Sequence, residues 1–220
     1  VWLADHATTL NFVGDSSGRS AVVVTTRMRS LLDGATEVQC GVLSKDASLE
    51  LLLRAGGCEH LVETPPPAAL EAVELCGHLP LALGIAGGII DELGTTWQAE
   101  LCDLLKDEFN GDSVEERVVT ASLRAVPEAM RTAVDNLFTL FAVFAEDAVV
   151  PDTVIDVLAP LMQSAGGGTG KALEKRQVRK CLKQLLKANI LHGSMDTGIY
   201  VHDLVRDCMI RRADAARDGG

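Results

Sequence analysis

Several stretches of this 220-residue chain hold residue types that could do chemistry. The most suggestive is Gly166-Gly167-Gly168-Thr169-Gly170-Lys171, whose glycines and closing lysine imitate a loop that cradles phosphates. A working loop needs Ser or Thr after the lysine to hold Mg²⁺, and it joins a buried strand to a helix. Here Ala172 stands where the hydroxyl belongs, and residues 159–163 before it are helical in pattern, so the stretch reads as a linker. Cys76 and His78 put a thiol near a base, yet no third orienting group can be named, and a buried structural thiol explains Cys76 as well. His202-Asp203 lies between a strand pattern and a helix pattern, where Asp can cap the helix and His can pack at the strand end. Arg27 follows the run Ala21-Val22-Val23-Val24-Thr25, just past the carboxyl end of an expected strand, where open α/β sheets bind ligands. The bland alternative for Arg27 is a solvated turn residue. The five histidines are scattered and the six cysteines form no Cys-x-x-Cys pair, so no metal-ligand set is expected.

The elements that would position these residues can be read from caps and periodicity. Leu70, Val73 and Cys76 mark one helical face, and Gly77 supplies a residue that can take positive φ past a helix end. Pro80 has no N–H to lose and opens a second helix through Leu81, Ile85 and Ile89. The β-branched run at 21–25 has no polar alternation and fits a strand buried on both faces of a parallel sheet. Ser44 caps a helix with Leu49, Leu52 and Leu53 inward, and Thr95-Thr96 caps another led by Trp97. After a break at 110–113 come helical patterns at 114–125, 127–144, 151–162 and 173–187, then a hairpin over 190–201 and a last helix. The expected fold is mostly α: a sheet remnant at 1–42, a helical bundle at 43–110, a winged helix at 111–213 and a tail at 214–220.

Composition bounds the rest. The chain is 47% hydrophobic but only 4% aromatic, which suits a core of Leu, Val, Ala and Ile. Its apolar runs fall short of the roughly 20 residues of a membrane span. Six cysteines without paired spacing read as reduced, hence a cytoplasmic setting. The net charge of -11 is uneven: residues 1–108 carry 6 Lys/Arg against 16 Asp/Glu, and the remainder 14 against 15. The chain opens on Val1-Trp2 with no turn or cap, as expected of a piece of something longer.

A buried strand ending Val-Thr-Thr-Arg at 24–27, the corner Gly77-His78-Leu79-Pro80-Leu81-Ala82, a Trp-led helix and a winged helix ending Val201-His202-Asp203-Leu204 together resemble the NB-ARC family of STAND-class nucleotide switches. The resemblance covers nearly the whole chain. It implies that Arg27 senses the terminal phosphate of ATP, that the Leu79-Pro80 corner packs on adenine, and that His202 contacts the β-phosphate of bound ADP. Val201 replaces the family's usual Met. The family's phosphate loop and acidic Mg²⁺-organising strand are expected upstream of Val1, so no catalytic residue is assigned here. ADP/ATP is the implied cofactor, with Mg in the complete parent. The implied partners are the upstream part of the nucleotide-binding domain, effector and repeat-type sensor domains, and further copies in a homo-oligomer, with no membrane. The rival reading is a DNA-binding winged helix. Lys171, Lys175, Arg176, Arg179, Lys180, Lys183 and Lys187 against Glu174 make one helix strongly basic. The acidic first half disfavours DNA, and the Pro80 corner has no use in a DNA reader.

Overall fold

The computed structural model describes residues 23–26, 35–106, 113–145, 148–158 and 175–218. It divides into two compact units, Val1–Gly41 and Val42–Gly220. In the first unit the described residues carry no strand, and Val23 is 89% exposed and Val38 82%. The expectation of a buried parallel strand at 21–25 and a shorter one at 37–40 is thus corrected for the residues described. A β-branched run forms a buried strand only where neighbouring strands pair with it, and among the described residues no strand pairing includes 23–25 or 37–40.

The second unit is mostly helical, as expected. Helix α1 (Lys45–Ala55) starts where the Ser44 hydroxyl accepts the Ala47 N–H at 3.3 Å, and it buries Leu49, Leu52 and Leu53. It ends at Gly56, with Gly57 at φ 66°. Helix α2 (Pro67–Leu75) opens on proline and buries Ala69, Ala72 and Val73. Helix α3 (Pro80–Leu93) also opens on proline and is the central element, burying Ala82, Leu83, Ile85, Ala86, Ile89 and Ile90. Helix α4 (Trp97–Lys106) buries Trp97, Leu101 and Leu105. The expected Thr95-Thr96 cap is absent: Gly94–Thr96 form a 3₁₀ turn, and the Thr96 hydroxyl donates back to the Leu93 carbonyl at 3.1 Å. Gly94 at φ 57° turns the chain so that this hydroxyl meets the helix it leaves instead of the one it enters.

Helix α5 (Val114–Ala125) is capped by Ser113 and packs directly on α3 and α4. The boundary expected at 110 falls within residues 107–112, outside those described, and the helices on either side of it share one core. Helices α6 (Glu128–Leu140), α7 (Asp152–Leu158) and α8 (Lys175–Lys187) follow. Strands β1 (Leu191–Ser194) and β2 (Gly198–Val201) form the expected antiparallel hairpin, with Leu191 opposite Val201. Val150 adds an unexpected bridge to Ile199, exchanging hydrogen bonds of 2.7 and 2.9 Å. Helix α9 (Asp203–Asp218) runs past residue 213 and packs on α5 and α6.

The junction between α3 and α8 ties the unit together. Gly88 lets α8's end approach so closely that a Cβ there would lie 2.8 Å from the carbonyl carbon and oxygen of Ala188. Asn189, at φ 54°, donates its side-chain amide to the Gly84 carbonyl at 2.9 Å. Lys187 reaches Asp91 at 3.2 Å and Glu92 at 3.0 Å, and Gln184 donates to Glu92 at 2.7 Å.

Candidate functional site

The corner between α2 and α3 is built from two consecutive left-handed residues, Gly77 at φ 59° and His78 at φ 56°. Glycine takes that conformation freely, whereas a residue with a Cβ is disfavoured there by about 1–2 kcal/mol. His78 is held by three contacts. Its carbonyl accepts the Leu43 N–H at 3.1 Å, its Nδ1 lies 3.0 Å from the Ser48 hydroxyl, and its Nε2 lies 3.5 Å from a Glu74 carboxylate oxygen. Ser48 also donates to the Ser44 carbonyl at 2.8 Å, so its hydroxyl is shared between α1's own backbone and the His78 ring.

The Ser48–His78–Glu74 arrangement has the residue types of a hydrolytic triad but not its accessibility. Ser48 is fully buried, and its hydroxyl is shared with the backbone. The Cys76–His78 pair is equally inert: Cys76 is buried, and burial pushes its thiol up to about 12 against the opposing pull of Arg117. Arg117 itself donates to the Leu75 carbonyl at 3.4 Å, closing the end of α2 from across α5. What the corner presents outward is Pro80, which is exposed, beside a half-buried Leu79.

At the other candidate position, the cap of α9 is His202 and not Asp203. The His202 carbonyl accepts the Arg206 N–H at 2.9 Å, and its Nδ1 accepts the Leu204 N–H at 3.3 Å. With Nδ1 accepting, the ring proton of the neutral form sits on Nε2, and the side chain is exposed, so that donor faces solvent. Behind it, His192 stacks on Tyr200 with centroids 5.5 Å apart. Burial, and then the nearby His202, hold the His192 pKa below the ordinary imidazole value.

No hydrogen bond or ion pair among the described residues joins the Leu79-Pro80 corner to His202. They stand at the first turns of α3 and α9, and both helices pack on α5. Arg27 and the glycine-rich stretch at 166–171 lie outside the described residues. On α8, Lys175 and Arg179 pair with Asp156, and Lys187 with Asp91 and Glu92, leaving Arg176, Lys180 and Lys183 exposed on one face. Sequence reasoning missed Ser48 and Asn189, and it set His78 beside Cys76 instead of Ser48 and Glu74. The only local signal was a bulky residue placed directly after a helix-ending glycine.

No family model matches the chain. It is 24% identical over 207 residues to the RPP13-like protein 3 of Arabidopsis thaliana, a disease-resistance protein by name, covering 88% of this chain and 24% of that protein. It is 29% identical over 202 residues to the regulatory protein AfsR of Streptomyces griseus, covering 90% of this chain and 19% of the relative. Against apoptotic protease-activating factor 1 of Danio rerio the identity is 24% over 199 residues, 84% of this chain and 15% of the relative. The chain therefore spans between 15% and 24% of the length of these proteins. All three contain an NB-ARC module, and the chain is similar to that family along most of its length.

Proposed function

We propose that this chain is part of an ADP/ATP-dependent NB-ARC signalling switch, in which nucleotide identity sets domain closure and closure controls assembly. The observation that carries the reading is the pairing of an outward Pro80, on a braced corner, with an outward Nε2 of His202. A proline face suits an adenine ring, and an imidazole donor suits a phosphate oxygen, where a charge-assisted bond contributes about 1.5–3 kcal/mol. In the resting state ADP bridges the corner and the winged-helix end through these two groups. Arg27 senses the terminal phosphate of ATP, and exchange releases the bridge. Differential contacts with the two nucleotides are what any such switch requires.

The donor set fits an adenine and one phosphate contact, and Mg²⁺ and most phosphate contacts would fall to a phosphate loop of the NB-ARC kind. The 220 residues hold no Gly-Lys followed by Ser or Thr, so this chain alone binds ADP weakly. Effector and repeat-type sensor domains, a homo-oligomeric active form and a cytoplasmic setting complete the reading. Calorimetry on the full-length protein tests it: Pro80→Ala and His202→Ala each weaken ADP binding. An ADP affinity unchanged by both substitutions refutes the assignment.

A further inference from the structure

We infer that His78 is a positioning residue that fixes the Leu79-Pro80 face against the helical bundle, and so sets how well the protein holds the adenine end of its nucleotide. The inference rests on the proposed packing of Pro80 on adenine. A left-handed non-glycine residue is uncommon, and this one lies one residue before the N-cap of α3 and two before Pro80. Backbone strain at such a point persists where surrounding contacts over-determine it. Here they do so from separate elements: the Leu43 N–H donates to the backbone carbonyl, the Ser48 hydroxyl of α1 hydrogen-bonds Nδ1 at 3.0 Å, and a Glu74 carboxylate oxygen of α2 lies 3.5 Å from Nε2. The imidazole therefore joins the end of α2, the face of α1 and the start of α3 through one side chain. Glycine at 78 would remove the strain and the brace together, leaving backbone geometry accessible but the corner's orientation no longer fixed.

The test uses the full-length protein and two competing ligands, ADP and inorganic pyrophosphate, displacing a fluorescent ADP. Pyrophosphate lacks adenine, so it reports the phosphate end alone. His78→Gly and Ser48→Ala are each expected to raise the ADP dissociation constant about fivefold, the equivalent of ~1 kcal/mol, while leaving the pyrophosphate constant in place. His78→Asn, which tolerates positive φ and keeps a side-chain donor, restores most of the loss. An equal loss for ADP and pyrophosphate makes His78 a structural residue and overturns the inference. So does a His78→Gly protein with unchanged ADP affinity when Pro80→Ala has weakened it. If Pro80→Ala itself has no effect on ADP, the adenine reading falls and the inference falls with it.

Discussion

Substituting alanine at two glycines of α3, four residues apart, should shift stability in opposite directions. A Cβ built at Gly84 meets nothing within 4 Å, whereas one at Gly88 lies 2.8–2.9 Å from the backbone of Ala188. Replacing an interior helical glycine by alanine favours the helix by about 0.8–1.0 kcal/mol, and Gly84→Ala should show most of that gain. At Gly88 the same gain meets a rigid partner, since backbone atoms cannot swing aside as a side-chain tip can. Overpacking of that kind costs about 1–3 kcal/mol, so the net effect is a loss near 1 kcal/mol. For a chain of this size each kcal/mol moves Tm by about 2–4 °C, which separates the two variants by roughly 4–8 °C. Thermal and urea unfolding of the 220-residue chain, followed by circular dichroism, measure the difference. The Asn189 bond to Gly84 should weaken with the Gly88 clash, so Asn189→Ala in the Gly88→Ala background should cost less than in the parent. A Gly88→Ala protein as stable as Gly84→Ala would refute the close approach of α3 and Ala188 in solution.

Three other outcomes are expected. His202→Ala removes a helix cap and should lower stability by about 1 kcal/mol, while His202→Asp keeps the cap yet speeds ADP release from the full-length protein; stopped-flow release separates the two roles. Burial raises the thiol of Cys76 to about 12 and those of Cys102 and Cys208 to about 11, so the folded state keeps these protons after the unfolded chain releases them near 9.0. Stability present below that unfolded value should be lost as pH climbs toward the folded values, and Cys→Ser variants with flatter alkaline unfolding curves would check it. On DNA, Arg176, Lys180 and Lys183 alone would give a log–log salt slope of about -2.7, and an anisotropy titration with duplex should show only weak, salt-erased binding. Sequence-selective binding tighter than about 10⁻⁸ M at physiological salt would favour a DNA-reading winged helix instead.

The helix ends were legible because caps act through neighbours within a few residues. Ser44, Gly77 and Pro80 punctuate the chain as their local chemistry requires. The hairpin was legible for the same reason, from β-branched residues around Asp196-Thr197-Gly198. What no window could reveal is the bracing of the site. Ser48 and His78 are 30 residues apart, and Asn189 lies 105 residues from Gly84, so neither contact leaves a local pattern. The cap of α9 was misassigned by one position because Asp is a strong capping type, while the hairpin's exit delivers His202 with its ring folded over the first turn. The described part of the apolar run, 23–25, shows the opposite failure, since a strand-like composition specifies a strand only alongside strands that pair with it.

Helix α3 carries Gly84, Gly87 and Gly88 within 14 residues, and its own backbone has little tendency to stay helical in isolation. Its regularity is lent by contacts that arrive from distant parts of the chain: Ala55 against Gly87 on one side, and Ala188 against Gly88 on another. The segment that carries Pro80 should therefore be among the last to order during folding, after α1 and α5 have formed from stronger local signals. Mutations in its glycine face should then change the unfolding rate and leave the refolding rate nearly untouched. During synthesis, α1 and α2 emerge long before the Ala188 contact is available, so the emerging chain spends that interval with the Gly88 face of its apolar helix α3 uncovered. In this window the protein is most exposed to aggregation, and a chaperone that binds apolar helical segments would find its target between Pro80 and Leu93.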